Sequence, residues 1–316
     1  MSINDLFKKG NILFKEKRFL EALQAYKEIW LKYPLNTRLN EEIIKKIKIY
    51  KEPIPQTFSK DQIERFFQFH KKGDLSTVIN ILLKYLEKDK TDILTISLLG
   101  KFYELSGDNE KSSHYHKMSI EKAPFEVAFY LNLSNSLKQS NMLEDALNIL
   151  CFAKILSPSD KSIDYEMAKL NTTSKNYSEA TSIYKKLIKD KNVSKEIIYS
   201  YCDNLIKNNK EDYVLEFLEK NKSLNSTDYY YQITLGLANF KKKEYNLAKT
   251  YFINSIKINP NIAQAYNLLA DYYVAIDDLK NAKLNYKKSL SKSPNNNQAL
   301  NNLAAVSFFE GNFKEA

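Results

Sequence analysis

Three histidines and two cysteines are the side chains through which this 316-residue chain would hold a metal or attack a substrate. His114 and His116 stand two apart in SSHYHK. On a helix that spacing turns the rings to different faces, whereas a shared metal ion wants the i, i+4 spacing. Both therefore read as surface or partly packed side chains. His70 precedes KKGD and has no cysteine near it to complete a zinc set. Cys151 falls in an apolar segment and Cys202 at a position of small residues, so packing explains both better than reactivity. None of the six glycines belongs to a GxxxxGK[ST] or GxGxxG phosphate cradle. No pair of carboxylates stands out from the charged background. The triplets NTT (171–173) and NYS (176–178) are expected in an Asn-rich chain and read as unglycosylated. The expectation is a non-enzymatic chain with no catalytic residue, no metal and no cofactor.

Composition narrows the partners. The chain is 43% hydrophobic and 13% aromatic, with six glycines and seven prolines, too few for a fold built on tight β-turns. Its start, MSINDLFKKGNILFKEK, lacks the apolar stretch of a secretory signal, and no run of about 18 apolar residues exists to span a bilayer. Two cysteines cannot form a disulfide framework, so a cytoplasmic location is expected. The net charge of +10 comes from 48 basic and 38 acidic residues interleaved as in EEIIKKIK and LEFLEKNK. Lys, Asn, Ile and Tyr share A/T-rich codons, a coding bias that would enrich lysine without a nucleic-acid partner. Solvated helix faces are expected, and nucleic acid is not.

The elements that carry these residues repeat. EYNLAKTYFINSIKINPN (244–261) returns 34 residues later as DLKNAKLNYKKSLSKSPN (278–295). With Ala248 and Ala282 numbered as place 20 of a 34-residue unit, seven contiguous units run from 59 to 296, and another covers 3–36. Place 20 also holds Ala22, Val78, Ser112, Ala146, Ala180, Val214 and Ala316; place 8 holds Gly10, Phe66, Gly100, Ser134, Ala168, Cys202, Gly236, Ala270 and Ala304. The remaining glycines, Gly73, Gly107 and Gly311, stand at place 15. Pro34, Pro124, Pro158, Pro260 and Pro294 stand at place 32, whereas Pro53 and Pro55 fall in the interval outside the register. A glycine inside a helix costs about 1 kcal/mol relative to alanine, so one recurring at place 8 points to close approach by another backbone. Glycine at place 15 suits a left-handed helix cap, and proline at place 32 stops a second helix. With Leu247, Phe252, Ile253 and Ile256 at helical spacing around Ala248, each unit is predicted to be a hairpin of two helices.

Ile96-x2-Leu99-Gly100-x2-Tyr103 and Tyr266-x2-Leu269-Ala270-x2-Tyr273 resemble the first-helix signature of tetratricopeptide repeats, and Ala248-x3-Phe252 with Pro260 resembles the second half. The resemblance implies an all-α, right-handed superhelical solenoid of antiparallel helix hairpins. It divides the chain into a first hairpin (3–36), an extra helix with a Pro-bearing joint (37–58), seven contiguous repeats (59–296) and a truncated repeat (297–316). The interval 37–58 reads equally as a joint or as a shortened repeat that lost its partner helix. The units 59–92 and 195–228 are degenerate: Phe66 fills a small site, and Lys90 and Ser226 replace proline; Asn192 does so in an otherwise regular fifth unit. The last unit stops at place 20 and leaves Leu300, Leu303, Val306, Phe308 and Phe309 without a covering hairpin. The chain is therefore expected to be the front of a longer protein, its uncapped end open to self-association.

In the resembled family the concave wall is made by first helices, with places 2, 5, 6, 9, 12 and 13 facing the groove. In the middle units these supply Asn132, Asn135, Tyr165, Glu166, Lys169, Tyr199 and Asp203 as candidate peptide contacts. Amides offer donor and acceptor to an extended backbone, and tyrosines add area with a polar tip. Two groove codes are absent. The dicarboxylate clamp wants Lys at place 5 and Asn at place 9, and the first unit has Phe7 and Asn11; the asparagine ladder of O-linked N-acetylglucosamine transferases wants repeated Asn at place 6, found only at Asn132 and Asn302. The leading expectation is a scaffold that binds a protein or peptide in its concave groove. The alternative is the substrate-recruiting arm of a larger sulfotransferase or glycosyltransferase. RNA binding, by analogy with pentatricopeptide arrays, is the third reading.

Overall fold

The computed structural model describes residues 2–33, 36–190, 193–221 and 228–309, and in these it contains α-helices and no strand. Pro34, Asn192, Ser226, Gly311 and Ala316 lie outside the described residues. The chain divides into two compact units, residues 1–176 and 177–316. The first holds α1 (Ile3–Lys15), α2 (Phe19–Lys32), α3 (Thr37–Tyr50), α4 (Lys60–Lys71), α5 (Leu75–Lys88), α6 (Ile93–Ser106), α7 (Asn109–Lys122), α8 (Val127–Gln139), α9 (Leu143–Leu156) and α10 (Lys161–Thr173). The second holds α11 (Tyr177–Leu187), α12 (Lys195–Lys207), α13 (Glu211–Lys220), α14 (Tyr229–Lys241), α15 (Tyr245–Ile258), α16 (Ala263–Ala275), α17 (Leu279–Lys292) and α18 (Asn297–Phe309). Within the first unit α1 and α2, α4 and α5, α6 and α7, and α8 and α9 pair as the arms of hairpins, and within the second α12 and α13, α14 and α15, and α16 and α17 do so.

One device recurs at the described turns. Among the described residues place 15 is left-handed: Gly73 and Gly107, but also Lys17, Asn141, Lys175, Asn209, Lys243 and Asp277, all at φ between 54° and 82°. The next residue's N–H then reaches back to the carbonyl five residues earlier, as Asp108 to Tyr103 (3.0 Å) and Glu244 to Asn239 (2.9 Å), which satisfies an orphan carbonyl of the first helix. An aspartate often follows at place 16 and caps the second helix. Asp74, Asp108 and Asp278 accept from the backbone N–H of Thr77, Lys111 and Asn281, and hydrogen bonds from the side chains of those residues, then these backbone bonds, hold all three carboxyls below their usual range. Pro124, Pro158, Pro260 and Pro294 each sit two residues beyond the end of a second helix.

The small columns are buried, and for the glycines the cause differs from the one expected. What approaches place 8 is a ring at place 24 of the partner helix, not a backbone. A Cβ on Gly10 would lie 2.4 Å from the Tyr26 ring, one on Gly100 2.6 Å from the His116 ring, and one on Gly236 2.5 Å from the Phe252 ring. Where place 8 is larger, place 24 shrinks to leucine: Phe66 with Leu82, Ser134 with Leu150, Cys202 with Leu218. In the Ser134 and Cys202 pairs the summed volume stays near that of a glycine with a ring, which favours dense packing without strain, whereas Phe66 with Leu82 exceeds it. His116 is thus wholly buried, not a surface or partly packed side chain, while His114 is exposed. At place 20, Ala22, Ala146, Ala180, Ala248 and Ala282 have no exposure, and Ser112 there donates its hydroxyl to the Gly100 carbonyl at 2.9 Å.

In the first unit α2 and α3 pack on α9. Phe125, just before α8, meets Phe19 (ring centroids 5.1 Å) and Phe14 (5.9 Å). Lys27 donates to the Asn148 side chain at 3.3 Å with its ammonium 4.7 Å from the Phe152 ring centroid, and Lys51 pairs with Glu126 at 2.8 Å. One apolar core therefore joins α1–α3 to α8–α10, whereas Phe58, Phe66, Val78, Leu82, Leu99 and Phe102 form another around α4–α6. The extra helix α3 buries only Leu39 and Ile43 and has no second arm of its own.

Candidate peptide-binding clefts

In the first unit the first helices α8 and α10 enclose a cleft of about 450 Å³. Asn132 and Asn135, three apart on α8, and Tyr165, Glu166 and Lys169, within one turn of α10, all line it. The Lys169 ammonium lies 2.9 Å from Glu166 and 4.9 Å from the Tyr165 ring centroid, and Lys138 approaches Glu166 at 4.0 Å. Asn135 also holds the structure together, because its amide donates at 2.8 Å to buried Glu104, which Lys101 pairs at 2.9 Å. The Asn132 carboxamide makes no hydrogen bond among the described residues and is half-buried at the wall.

The other two candidates, Tyr199 and Asp203, lie in the second unit, in a cleft of about 570 Å³ between α12 and α14 with Gln264 of α16 at its edge. Tyr229, Tyr230, Ile233, Thr234 and Leu237 complete its wall. Tyr230 packs tilted against Tyr229 (ring centroids 4.5 Å) and Tyr199 (5.8 Å). Asp228 caps α14 through the Tyr230 N–H at 2.9 Å, pairs with Lys195 at 2.8 Å and lies beside the Tyr199 hydroxyl. Burial and then the Asp228 charge push that hydroxyl well up. Within this unit places 2, 5, 6 and 9 recur as Tyr230, Ile233, Thr234 and Leu237; they belong to the unit after those from which the candidates were drawn.

The seven candidates thus fall into two clefts, five in one and two in the other. Neither thiol is poised to react: burial pushes Cys202 up to about 12, with Asp203 adding to the shift, and burial also raises Cys151. Among the described residues no group of three or more His, Cys, Asp and Glu is placed to hold a metal ion, and no helix is long and apolar enough to cross a membrane. The clefts offer amides, hydroxyls, rings and single charges, a chemistry of binding.

Antiparallel hairpins stacked at a fixed period define a helical repeat protein. A sequence model described as tetratricopeptide repeat matches residues 229–262 and 263–296, with the unit boundaries that the glycine, alanine and proline columns set. Residues 229–296 are thus two tetratricopeptide repeats. A solved tetratricopeptide repeat protein from Parabacteroides merdae superposes with a TM-score of 0.67 at 16% identity, covering 86% of this chain and 99% of that one. The APC/C hetero-tetramer Cut9–Hcn1 does so with 0.53 at 15% identity, covering 95% of this chain and 55% of that one. An uncharacterized protein, ycf37, of Pyropia yezoensis is 37% identical over 65 residues, which is 21% of this chain and 36% of that protein. The match thus spans about a third of that relative's length.

Proposed function

We propose that the chain is an interaction scaffold that holds an extended or helical segment of a partner protein along the first-helix face of its hairpins, with α8 and α10 as the central contact. Asn132, Tyr165, Glu166 and Lys169 would make that contact, and Asn135 would contribute its carbonyl while its amide stays on Glu104. The observation that carries the reading is the convergence of side chains from two successive first helices on one 450 Å³ cleft. Asn132 supplies a donor and an acceptor there that no other described residue engages, which suits the backbone of an extended peptide. Nothing in the described residues, or in the relatives named above, favours the arm of a transferase.

The test is a displayed random-peptide library selected on the full chain, with retained clones re-measured on Asn132→Ala/Lys169→Ala. The pair spares Asn135, whose loss would take one hydrogen bond from buried Glu104. Retained peptides should bind the double variant at least about tenfold more weakly, roughly the 1.4 kcal/mol of one or two lost polar contacts, with unchanged helical circular dichroism. Equal binding to both proteins would remove this cleft from the function.

A further inference from the structure

The second unit's cleft differs in chemistry from the first. Three carboxylates, Glu196, Asp203 and Asp228, and a single ammonium, Lys195, line it, on a chain whose net charge is +10. The first cleft reverses the balance, with Lys138 and Lys169 against Glu166. The same cleft holds the mutually tilted rings of Tyr199, Tyr229 and Tyr230. Tyr230 is 41% exposed, so part of its ring is reachable from solvent.

We propose that this cleft takes a basic side chain of a partner polypeptide, an arginine guanidinium laid against the Tyr199 and Tyr230 rings with the carboxylates of Glu196, Asp203 and Asp228 around it. The inference rests on the scaffold reading in so far as the side chain arrives on a polypeptide. A guanidinium is planar and weakly hydrated, so it stacks on an aromatic face while its N–H groups fork toward carboxylates. Ile233 and Leu237 give its methylene stem an apolar floor. Asp228 already holds Lys195 at 2.8 Å, which fixes the rim. Among the described residues Asp203 pairs with Lys207, one helical turn away at 2.8 Å on an exposed face, a weak pair that an arriving guanidinium can replace. Burial raises the Tyr230 hydroxyl first and Tyr229 next, and the negative charges of Asp228 and Glu196 add to the shift, so both carboxylates act at this ring.

The probe is Nα-acetyl-arginine amide, with the neutral isostere Nα-acetyl-citrulline amide as control, titrated into tyrosine-labelled full-length chain and followed by NMR. Single Tyr→Phe variants assign the rings. The arginine amide should shift the Tyr199, Tyr229 and Tyr230 ring signals and bind about tenfold more tightly than the citrulline amide, the factor that a cation–π contact with a nearby carboxylate supports. Tyr230→Leu should abolish the response and Glu196→Gln weaken it, while Tyr165→Phe, in the other cleft, should leave it unchanged. Circular dichroism confirms that each variant is folded. Equal shifts with both amides, or no ring shift with either, would overturn the cationic subsite. If library peptides are retained while the arginine amide moves no ring, the scaffold reading survives without the subsite; if the rings respond and no peptide is retained, the scaffold reading fails alone.

Discussion

His116 occupies the slot that Tyr26, Phe252 and Tyr286 fill in other hairpins, with its ring against the backbone of Gly100. In that slot the tyrosine hydroxyls find partners at place 9, Tyr26 on Asn11 at 3.1 Å and Tyr286 on Asp271 at 2.6 Å. The shorter imidazole finds none, and both ring nitrogens lie buried without a hydrogen bond to the described residues. Burial lowers its pKa to about 4; Glu104 on α6 acts against the shift and Lys101 with it. The sign follows. Below pH 6.5 the unfolded chain takes up a proton that the folded chain refuses until about pH 4, so stability is full above 6.5 and falls as the pH drops through that window. The loss at pH 4 is about 3 kcal/mol at 1.36 kcal/mol per unit. His116→Phe, which copies the Gly236–Phe252 pairing, should remove this part of the acid sensitivity. Urea unfolding of both proteins at pH 7 and at pH 4.5 reads the difference, and parallel losses in the two would show that another group sets the slope.

At the scale of elements, hairpin and register were legible because each depends on residues near in sequence. Proline ends a helix wherever it stands, a left-handed turn selects glycine at Gly73 and Gly107, and a crossing that excludes side chains selects Ala248 and Ala282. Lys17, Lys175 and Lys243 make the same turn without advertising it, since a lysine carries no turn signal. The glycine column was read correctly as a place of close contact but assigned the wrong neighbour, because the ring at place 24 varies between Tyr, His and Phe and so forms no column. Family places named the first-helix faces and led to Asn132 and Tyr165; the Tyr229–Tyr230 contact needs distances that a sequence does not carry. The docking of α2 and α3 on α9 had no sequence signature at all, because Phe14 and Phe125 are more than a hundred residues apart and outside any repeat relation. That contact is testable through α3, which buries only Leu39 and Ile43 and so depends on its neighbours. Phe125→Ala removes a ring that is 4% exposed, a change that typically costs about 3–5 kcal/mol. Hydrogen exchange should then quicken across Thr37–Tyr50 while peptides from 229–292 keep their protection. Unaltered exchange in α3 would mean that it is held without the α9 side.

Charge belongs to the whole molecule, and it decides between a polypeptide and a nucleic acid as partner. An excess of ten positive charges over 316 residues attracts polyanions only weakly unless it is gathered in one place. Here lysines are answered locally: Lys101 by Glu104 and Lys169 by Glu166 at 2.9 Å, Lys207 by Asp203 and Lys195 by Asp228 at 2.8 Å. Neither cleft collects the surplus, since one holds two lysines against a glutamate and the other three carboxylates against one lysine. Binding to RNA would then rest on scattered phosphate contacts, and such contacts weaken steeply with salt as counterions compete. A labelled single-stranded oligouridine followed by fluorescence anisotropy should show loose association at about 50 mM salt that vanishes by about 200 mM. Saturable binding tighter than about 1 μM at the higher salt would require a gathered basic surface, and the interleaving of lysine with glutamate and aspartate would no longer account for the charge.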